Sequence, residues 1–522
     1  MGNAAGGAIT TGAENVTVGN YANDANETGN YNVAMGHGAL GANTASNNTA
    51  VGRKALLNNS TGTQNVALGG EALEANTTGN YNVGLGKNAL LNNTTADNNT
   101  AVGTYSLDAN TTGANNTGLG FGALGGNTTA SANTAVGAYA LVANTTGTEN
   151  TAVGAYALDA ITTGAQSTGI GYNALSNATT SQYNTAVGSR CLEQATTGSG
   201  RNTAVGNEAM EETTTGYYNV AVGSNSLESN TTGHSNVAIG INALLVSNGV
   251  QNTAVGGFAL DANTTAANNV AIGYNALTAN TTGAQNIAVG QGAMASNTTG
   301  TDNCAYGHAA MGSATNTGSG RNNAFGYEAL QDLTTGTQNQ AMGFQAGANL
   351  TTGSYNNIMG AEAMENSTTA TGNIAIGHDT LRQCNTNYNV AIGYQALTAD
   401  TTGTRNTSVG RSALGSNTTA NDNTAVGYAA MYLNTTGAQN TAVGKDALDA
   451  NTTAHDNTAI GVGALGVMDG GDGKNIAIGN YAGDAITTGG SNTLLGYQAA
   501  VSYTHLRAHE TVLDLVCRLL LE

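Results

Sequence analysis

Apolar and polar positions along residues 1–500 recur in one phrase of fixed length. The phrase reads Asn, Thr or Val, Ala, Val or Ile, Gly, two variable residues, Ala, Leu, two variable residues, Asn, Thr, Thr, Gly and two more variable residues. Its first five letters alternate, as in Asn236, Val237, Ala238, Ile239 and Gly240. Alternation of period two predicts a short strand whose β-branched residues share one face. The following Ala-Leu step, for example Ala276 and Leu277, predicts a second apolar element across the coil. Where Leu is absent from that step, Met often stands there, as at Met210, Met294, Met311, Met364 and Met431, a swap that nearly conserves volume. The ANTTG stretch at 109–113 and its equivalents predict a reversal, since Asn tolerates and Gly favours left-handed backbone. Asn rows such as Asn133, Asn150 and Asn184 are expected to pair their amides up a stack.

The Gly closing each strand phrase recurs at Gly2, Gly19, Gly36, Gly52 and onward to Gly496, thirty times at a mean spacing of about 17 residues. Fixed self-similarity at this scale defines a solenoid, in which each unit buries its apolar face only against its neighbours. The fold class expected is all-β, a parallel β-solenoid of about thirty 17-residue coils forming one repeat domain over residues 1–500. Ala at the strand centre is read as an outward, small-residue face suited to close approach of another chain, and a homotrimer of parallel copies burying these faces is expected.

Composition narrows the function classes. The chain has 522 residues, 75 of them Gly, with no Pro, no Trp and four Phe. So few large apolar side chains argue against several independent globular cores. Acidic residues outnumber basic ones 32 to 13, for a net charge of −19, which disfavours nucleic acid as a partner. Cys191, Cys304, Cys384 and Cys517 stand far apart in no metal-binding or disulfide pattern. No run of about 18 apolar residues is present, so this segment is not expected to insert into a membrane.

The phrases NVAIG at 236–240, 269–273 and 389–393 and NTAVG at 133–137, 150–154 and 423–427 resemble the head repeats of YadA-type trimeric autotransporter adhesins. The longer phrase, with its ALxxNTTG continuation, is similar to the repeat region of phage-type tail fibres. The resemblance covers about residues 1–500. It implies a left-handed parallel β-roll, trimeric, displayed outside the cell on a cell surface or virion and seeking a receptor. The coil here is longer than in the adhesin heads, and no heptad stalk, membrane-anchor barrel or chaperone domain follows. Both ends read as truncated: the chain starts in mid-phrase, and residues 501–522 leave the repeat. That tail, from Ser502 to Glu522, resembles translated sequencing-adapter sequence. The alternative is an amphipathic capping helix with Leu506, Leu513, Val516 and Leu520 on one face.

Candidate chemistry is sparse. His37, His308 and His378 occupy the same variable position many coils apart, so solvated His is expected rather than a metal site. The run MDGGDGKN at 468–475 occurs once and reads as an inserted turn rather than a calcium loop. Acids cluster after the Ala-Leu step at Asp108, Asp159, Asp261 and Asp449, with Glu74, Glu193 and Glu228 in the same column, and read as a solvated row rather than a catalytic pair. The residues singled out for surface contact are Tyr172, Tyr274, Tyr327, Tyr394, Tyr428 and Tyr497, each directly after the marker Gly. Exposed rings flanked by amides suit sugars, although a ring there can equally cover the coil edge. Tyr31, Tyr81, Tyr183, Tyr218, Tyr355 and Tyr388, each just before Asn, carry the same two readings. Asn76, Asn110, Asn144 and Asn280 head NxT glycosylation sequons, which this turn chemistry generates by itself.

No catalytic residue, cofactor or metal site is assigned, and a non-enzymatic protein is expected. The leading expectation is a surface fibre, an adhesin head or shaft giving multivalent attachment to a glycan or protein receptor on a host or neighbouring surface. The alternative is an ice-binding or glycan-binding solenoid built on Thr rows. A parallel β-helix polysaccharide-degrading enzyme comes third.

Overall fold

A computed structural model describes residues 2–500 apart from 197, 199 and 316–319; the readings placed on the tail after Ala500 lie outside these residues. The chain divides into two compact units at Ala266/Ala267. In the first, fifteen three-residue strands run from β1 (Val16–Val18) to β15 (Thr253–Val255); in the second, fourteen run from β16 (Val270–Ile272) to β29 (Thr493–Leu495). No helix occurs among the described residues, and hence none long and apolar enough to cross a membrane. Within each unit successive strands pair in parallel and in register, as where Thr134 meets Thr151, Ala135 meets Ala152 and Val136 meets Val153. Each unit is therefore a parallel β-solenoid with 17-residue spacing, and the repeat is its folding code: each layer finds its own likeness above and below.

The marker glycines are fixed by this stacking. Gly154 has φ +134°, and a Cβ built there would lie 2.4 Å from the carbonyl oxygen of Gly171 in the next coil. Only Gly combines that backbone with so close an approach.

One expectation is reversed. The strand-centre Ala residues face inward: Ala135 and Ala152 have no exposed surface, whereas the Thr and Val on either side are partly exposed. The reason is the narrowness of the coil. The Leu of the Ala-Leu step, for example Leu141 and Leu158, is fully buried and fills the interior from the opposite side. Where the strand centre is Gly169, an added Cβ would already lie 3.1 Å from Leu158 Cγ, so a methyl is close to the most the space accepts. The larger β-branched residues consequently point out.

The reversals also fall elsewhere than expected. Left-handed backbone sits at the buried Leu of most coils (Leu141 and Leu158, both φ +53°), two residues before it at Tyr139 (φ +60°) and Tyr156 (φ +58°), and before the strand Asn at Glu149 (φ +61°). The NTTG residues are not left-handed. Left-handed backbone costs a non-Gly residue about 1–2 kcal/mol. Complete burial of a Leu side chain returns about 1.5–3 kcal/mol. Burial of the Leu therefore offsets the strain at the Leu itself.

Two buried Asn columns complete the interior. In the ANTTG column Asn144 Nδ2 donates to Asn127 Oδ1 at 3.0 Å, and Asn127 Nδ2 to Asn110 Oδ1 at 2.8 Å. This is the amide-to-amide ladder expected of an Asn stack, and the strand Asn make it at some steps too, as where Asn356 Nδ2 donates to Asn339 Oδ1 at 2.9 Å. Around Asn133 the strand column is tied differently: Asn133 Oδ1 accepts the backbone N–H of Asn150 at 2.9 Å, while Asn133 Nδ2 donates to the carbonyl of Gly147 at 2.9 Å. Each net hydrogen bond contributes about 1 kcal/mol, and a buried partner left alone costs about 1–3 kcal/mol. Where Ile161 interrupts the ladder, Asn144 Oδ1 is left buried and without a partner.

Candidate contact faces

The outward strand face is the first candidate site. It carries two rows per unit: mostly Thr, Val or Ile at the first strand position, broken by Cys304, Asn323, Gln340 and Asn357 in the second unit, and mostly Val, Ile, Leu or Met at the third, with Tyr306 and Phe325. Val16, Val18, Met35, Leu68 and Leu119 in the first unit, and Met342, Met359, Ile476 and Ile478 in the second, are large apolar residues more than a third exposed. Soluble monomers seldom leave so continuous an apolar strip open to water. From β6 (Thr100–Val102) to β12 (Thr203–Val205) the first position is Thr in every strand: Thr100, Thr117, Thr134, Thr151, Thr168, Thr185 and Thr203. The turn threonines do different work. Thr145 Oγ1 donates to the Thr162 carbonyl at 3.0 Å and Thr162 Oγ1 to that of Thr179 at 3.1 Å, so these hydroxyls tie coil to coil.

The second candidate is the edge just after the marker Gly. Among the Tyr residues anticipated for contact, Tyr172, Tyr274, Tyr327, Tyr394, Tyr428 and Tyr497 are all exposed to 43–71%. Both readings of these positions hold together, because several rings are exposed and also pack on a neighbouring coil. Tyr327 stacks on His308 at 5.1 Å and on Phe344 at 5.4 Å, and its hydroxyl pKa is raised by a hydrogen bond to Glu328. Tyr394 stacks on His378 at 5.4 Å. Arg411 bridges Tyr394 and Tyr428, at 5.6 and 5.9 Å from the ring centres, and Lys445 lies 5.8 Å from Tyr428.

A continuous ring row in the first unit escaped the residue-type reading. Tyr105, Phe121, Tyr139, Tyr156 and Tyr172 come from five successive coils and contact one another in order, with ring centres 5.3–6.3 Å apart. The row draws on both positions after the marker Gly, Phe121 and Tyr172 at the first and Tyr105, Tyr139 and Tyr156 at the second, so a single-column search misses it. Rings at either position in adjacent coils are the signal that finds it. Beside Tyr156 and Tyr172 lies an open cleft of about 440 Å³ lined also by Asp159, Asn173, Asn177 and Glu193.

The acidic column is a true column. Burial raises the carboxyl pKa of Asp108, Asp159 and Asp449, and at Asp159 the backbone amides of Asp159 and Ala160 oppose the shift. The Asp159 Oδ1 atom is itself shielded from water and has no hydrogen-bond partner. Elsewhere cations occupy the acids: Arg190 pairs with Glu193 and Glu208, each at 2.9 Å, and with Glu211. His378 does gather carboxylates, its ring lying with Glu362 and Asp379 within metal-ligand reach. Arg382 already serves them, 3.0 Å from Glu362 and 3.2 Å from Asp379. His37 lies edge-on to Tyr21 at 5.8 Å.

The sequon asparagines are not surface groups. Asn76, Asn110, Asn144 and Asn280 are fully buried, and the amide nitrogens of the first three donate both to the preceding Asn and to the Gly carbonyl three residues on. A glycan on these nitrogens is incompatible with the folded coil.

A scan against protein-family models finds no match, and a search of curated proteins finds none.

Proposed function

We propose that this chain is the repeat shaft or head of an extracellular surface fibre, on a cell or virion, in which three parallel copies bury their outward strand faces and leave the coil edges free for attachment. The observation that carries this reading is the in-register outward strand face, Thr/Val–Val/Ile over most strands, whose third-position apolar row is left open in the single chain. The face that meets the partner copies is thus the β-branched one, not the Ala face. The exposed Tyr edges would then supply many weak contacts to a glycan or protein receptor, with avidity replacing one deep pocket. The shallow cleft and the Arg-paired acids favour a non-enzymatic role over acid–base catalysis. Native mass spectrometry tests the assembly: a trimer is expected, and the triple substitution Val136→Glu, Val153→Glu and Val187→Glu should convert it to monomer and abolish attachment to a receptor-bearing surface. A wild-type chain that stays monomeric at micromolar concentration overturns the reading.

The seven-strand Thr rank supports a second reading, an ice-binding face. It rests on the strand threonines, since the turn hydroxyls are held by the next coil. Thermal hysteresis lost on Thr134→Val, Thr151→Val and Thr168→Val, with the oligomer unchanged, would establish it in place of the fibre.

A further inference from the structure

We infer that the ring row from Tyr105 to Tyr172 is a binding track for a neutral, extended β-linked oligosaccharide. The assignment deepens the attachment reading above and rests on it for biological purpose, but not for its chemistry.

Three observations converge. The first is periodicity. Five rings on five successive coils give a platform repeating at the strand spacing of about 4.8 Å and running roughly 20 Å. That step is close to the advance of one pyranose in an extended β-linked chain, so each successive sugar meets a ring, the rings differing in tilt from coil to coil.

The second is ring geometry. Phe121 is turned 83° from Tyr105 and 74° from Tyr139, and Tyr172 is turned 89° from Tyr156. Phe121 and Tyr172 remain 46% and 54% exposed, so the rings do not close into one stack that uses up their surfaces. Apolar ring area beside polar groups is what the C–H faces and hydroxyl rims of a sugar require.

The third is the polar wall. Asp159 lines the same cleft as Tyr156 and Tyr172. Asn173 and Asn177 supply amide donors and acceptors on the same wall, and Glu193, paired with Arg190 at 2.9 Å, adds acceptor oxygens rather than free charge. The chain's net charge of −19 disfavours sulfated or uronic-acid glycans. A neutral polymer of glucose or N-acetylglucosamine type fits both the charge and the rings.

The experiment is isothermal titration of the full chain with cellohexaose and chitohexaose, against their disaccharides and a uronic-acid hexamer. At least one neutral hexasaccharide should bind, its disaccharide at least tenfold more weakly and the anionic hexamer not measurably. The double substitution Phe121→Ala and Tyr172→Ala, with unchanged circular dichroism, should weaken the hexasaccharide at least tenfold. Tyr394→Ala with Tyr428→Ala, in the other unit, should leave it unchanged. Absence of binding by both neutral hexamers, or wild-type affinity in the Phe121/Tyr172 variant, overturns the track. If surface attachment survives that loss, the fibre reading stands without this ligand; a monomeric chain that binds the hexasaccharide reverses that outcome.

Discussion

Ile358 occupies the space that Gly347 leaves. Ile358 stands where other strands carry Ala, and Gly347 stands where other coils carry Leu. A Cβ on Gly347 would lie 2.8 Å from Ile358 Cδ1, and Ile358 is fully buried. The same exchange joins Leu494 to Gly483, again at 2.8 Å. The interior thus conserves volume rather than residue identity at each position. Gly347→Leu alone should destabilise by about 1–3 kcal/mol through overpacking. Ile358→Ala alone should cost about 2–5 kcal/mol through the cavity. The double variant, which restores the common arrangement, should recover most of both losses. A denaturant double-mutant cycle checks this, and simple additivity would contradict it.

Asp400 makes the second unit sensitive to alkali. It replaces an Asn of the ladder, is fully buried, and accepts from the Gly403 N–H at 2.9 Å and Asn417 Nδ2 at 3.0 Å. Burial pushes its carboxyl up to about 7, against the opposing pull of those hydrogen bonds. A raised acid pKa means that the folded state holds the proton more tightly than the unfolded one. Its stabilising contribution is therefore complete below the unfolded value of 3.8 and is lost as pH rises through about 7. Asp400→Asn should abolish this loss and slow hydrogen exchange at the Gly403 amide at pH 8.5 while changing it little at about pH 3, below the unfolded value. Equal exchange in the two proteins at pH 8.5 would refute the argument.

Gly154→Ala should destabilise by more than the about 1 kcal/mol of an ordinary conformational preference, because its new methyl meets the Gly171 carbonyl at 2.4 Å. Gly70→Ala is the control, since a Cβ there has nothing within 4 Å. Melting curves should separate the two, with Gly70→Ala close to wild type.

The cysteines should differ in reactivity. Burial pushes the Cys191 thiol up to about 12, and burial with the nearby Asp400 carboxylate pushes Cys384 up to about 11. Among the three described cysteines Cys304, only partly buried, should alkylate before Cys191 and Cys384 in native protein at pH 8. Peptide-resolved iodoacetamide labelling gives the order directly, and early labelling of Cys191 would be inconsistent with its packing.

The period, the parallel pairing and an Asn ladder were legible because a stack displays each of them as a repeated letter. Which face of the strand is inside was not. Thr134-Ala135-Val136 alternates equally well in either orientation, and the usual rule places the larger apolar residues within. That rule fails here because Leu141 and Leu158, reaching in from the opposite side, leave room for little more than a methyl. Left-handed Leu was hidden for a related reason: nothing in its residue type announces that backbone, and only its burial sustains it. For the contact face, the exposure of Tyr172 was legible from its place after the marker Gly. Its contact with Tyr156 was not, since adjacency between coils depends on the register that only the stack supplies.

The coil-to-coil hydrogen bonds of the Asn columns carry one further consequence. Asn110, Asn127 and Asn144 offer the same amide to the same acceptor at each step. Removing a whole repeat of the genetic text between two such steps rejoins like with like, so a solenoid unit is free to lengthen or shorten by whole coils without inventing a new joint. Coil number becomes a heritable dimension that varies in single increments, independently of the residues that each coil displays.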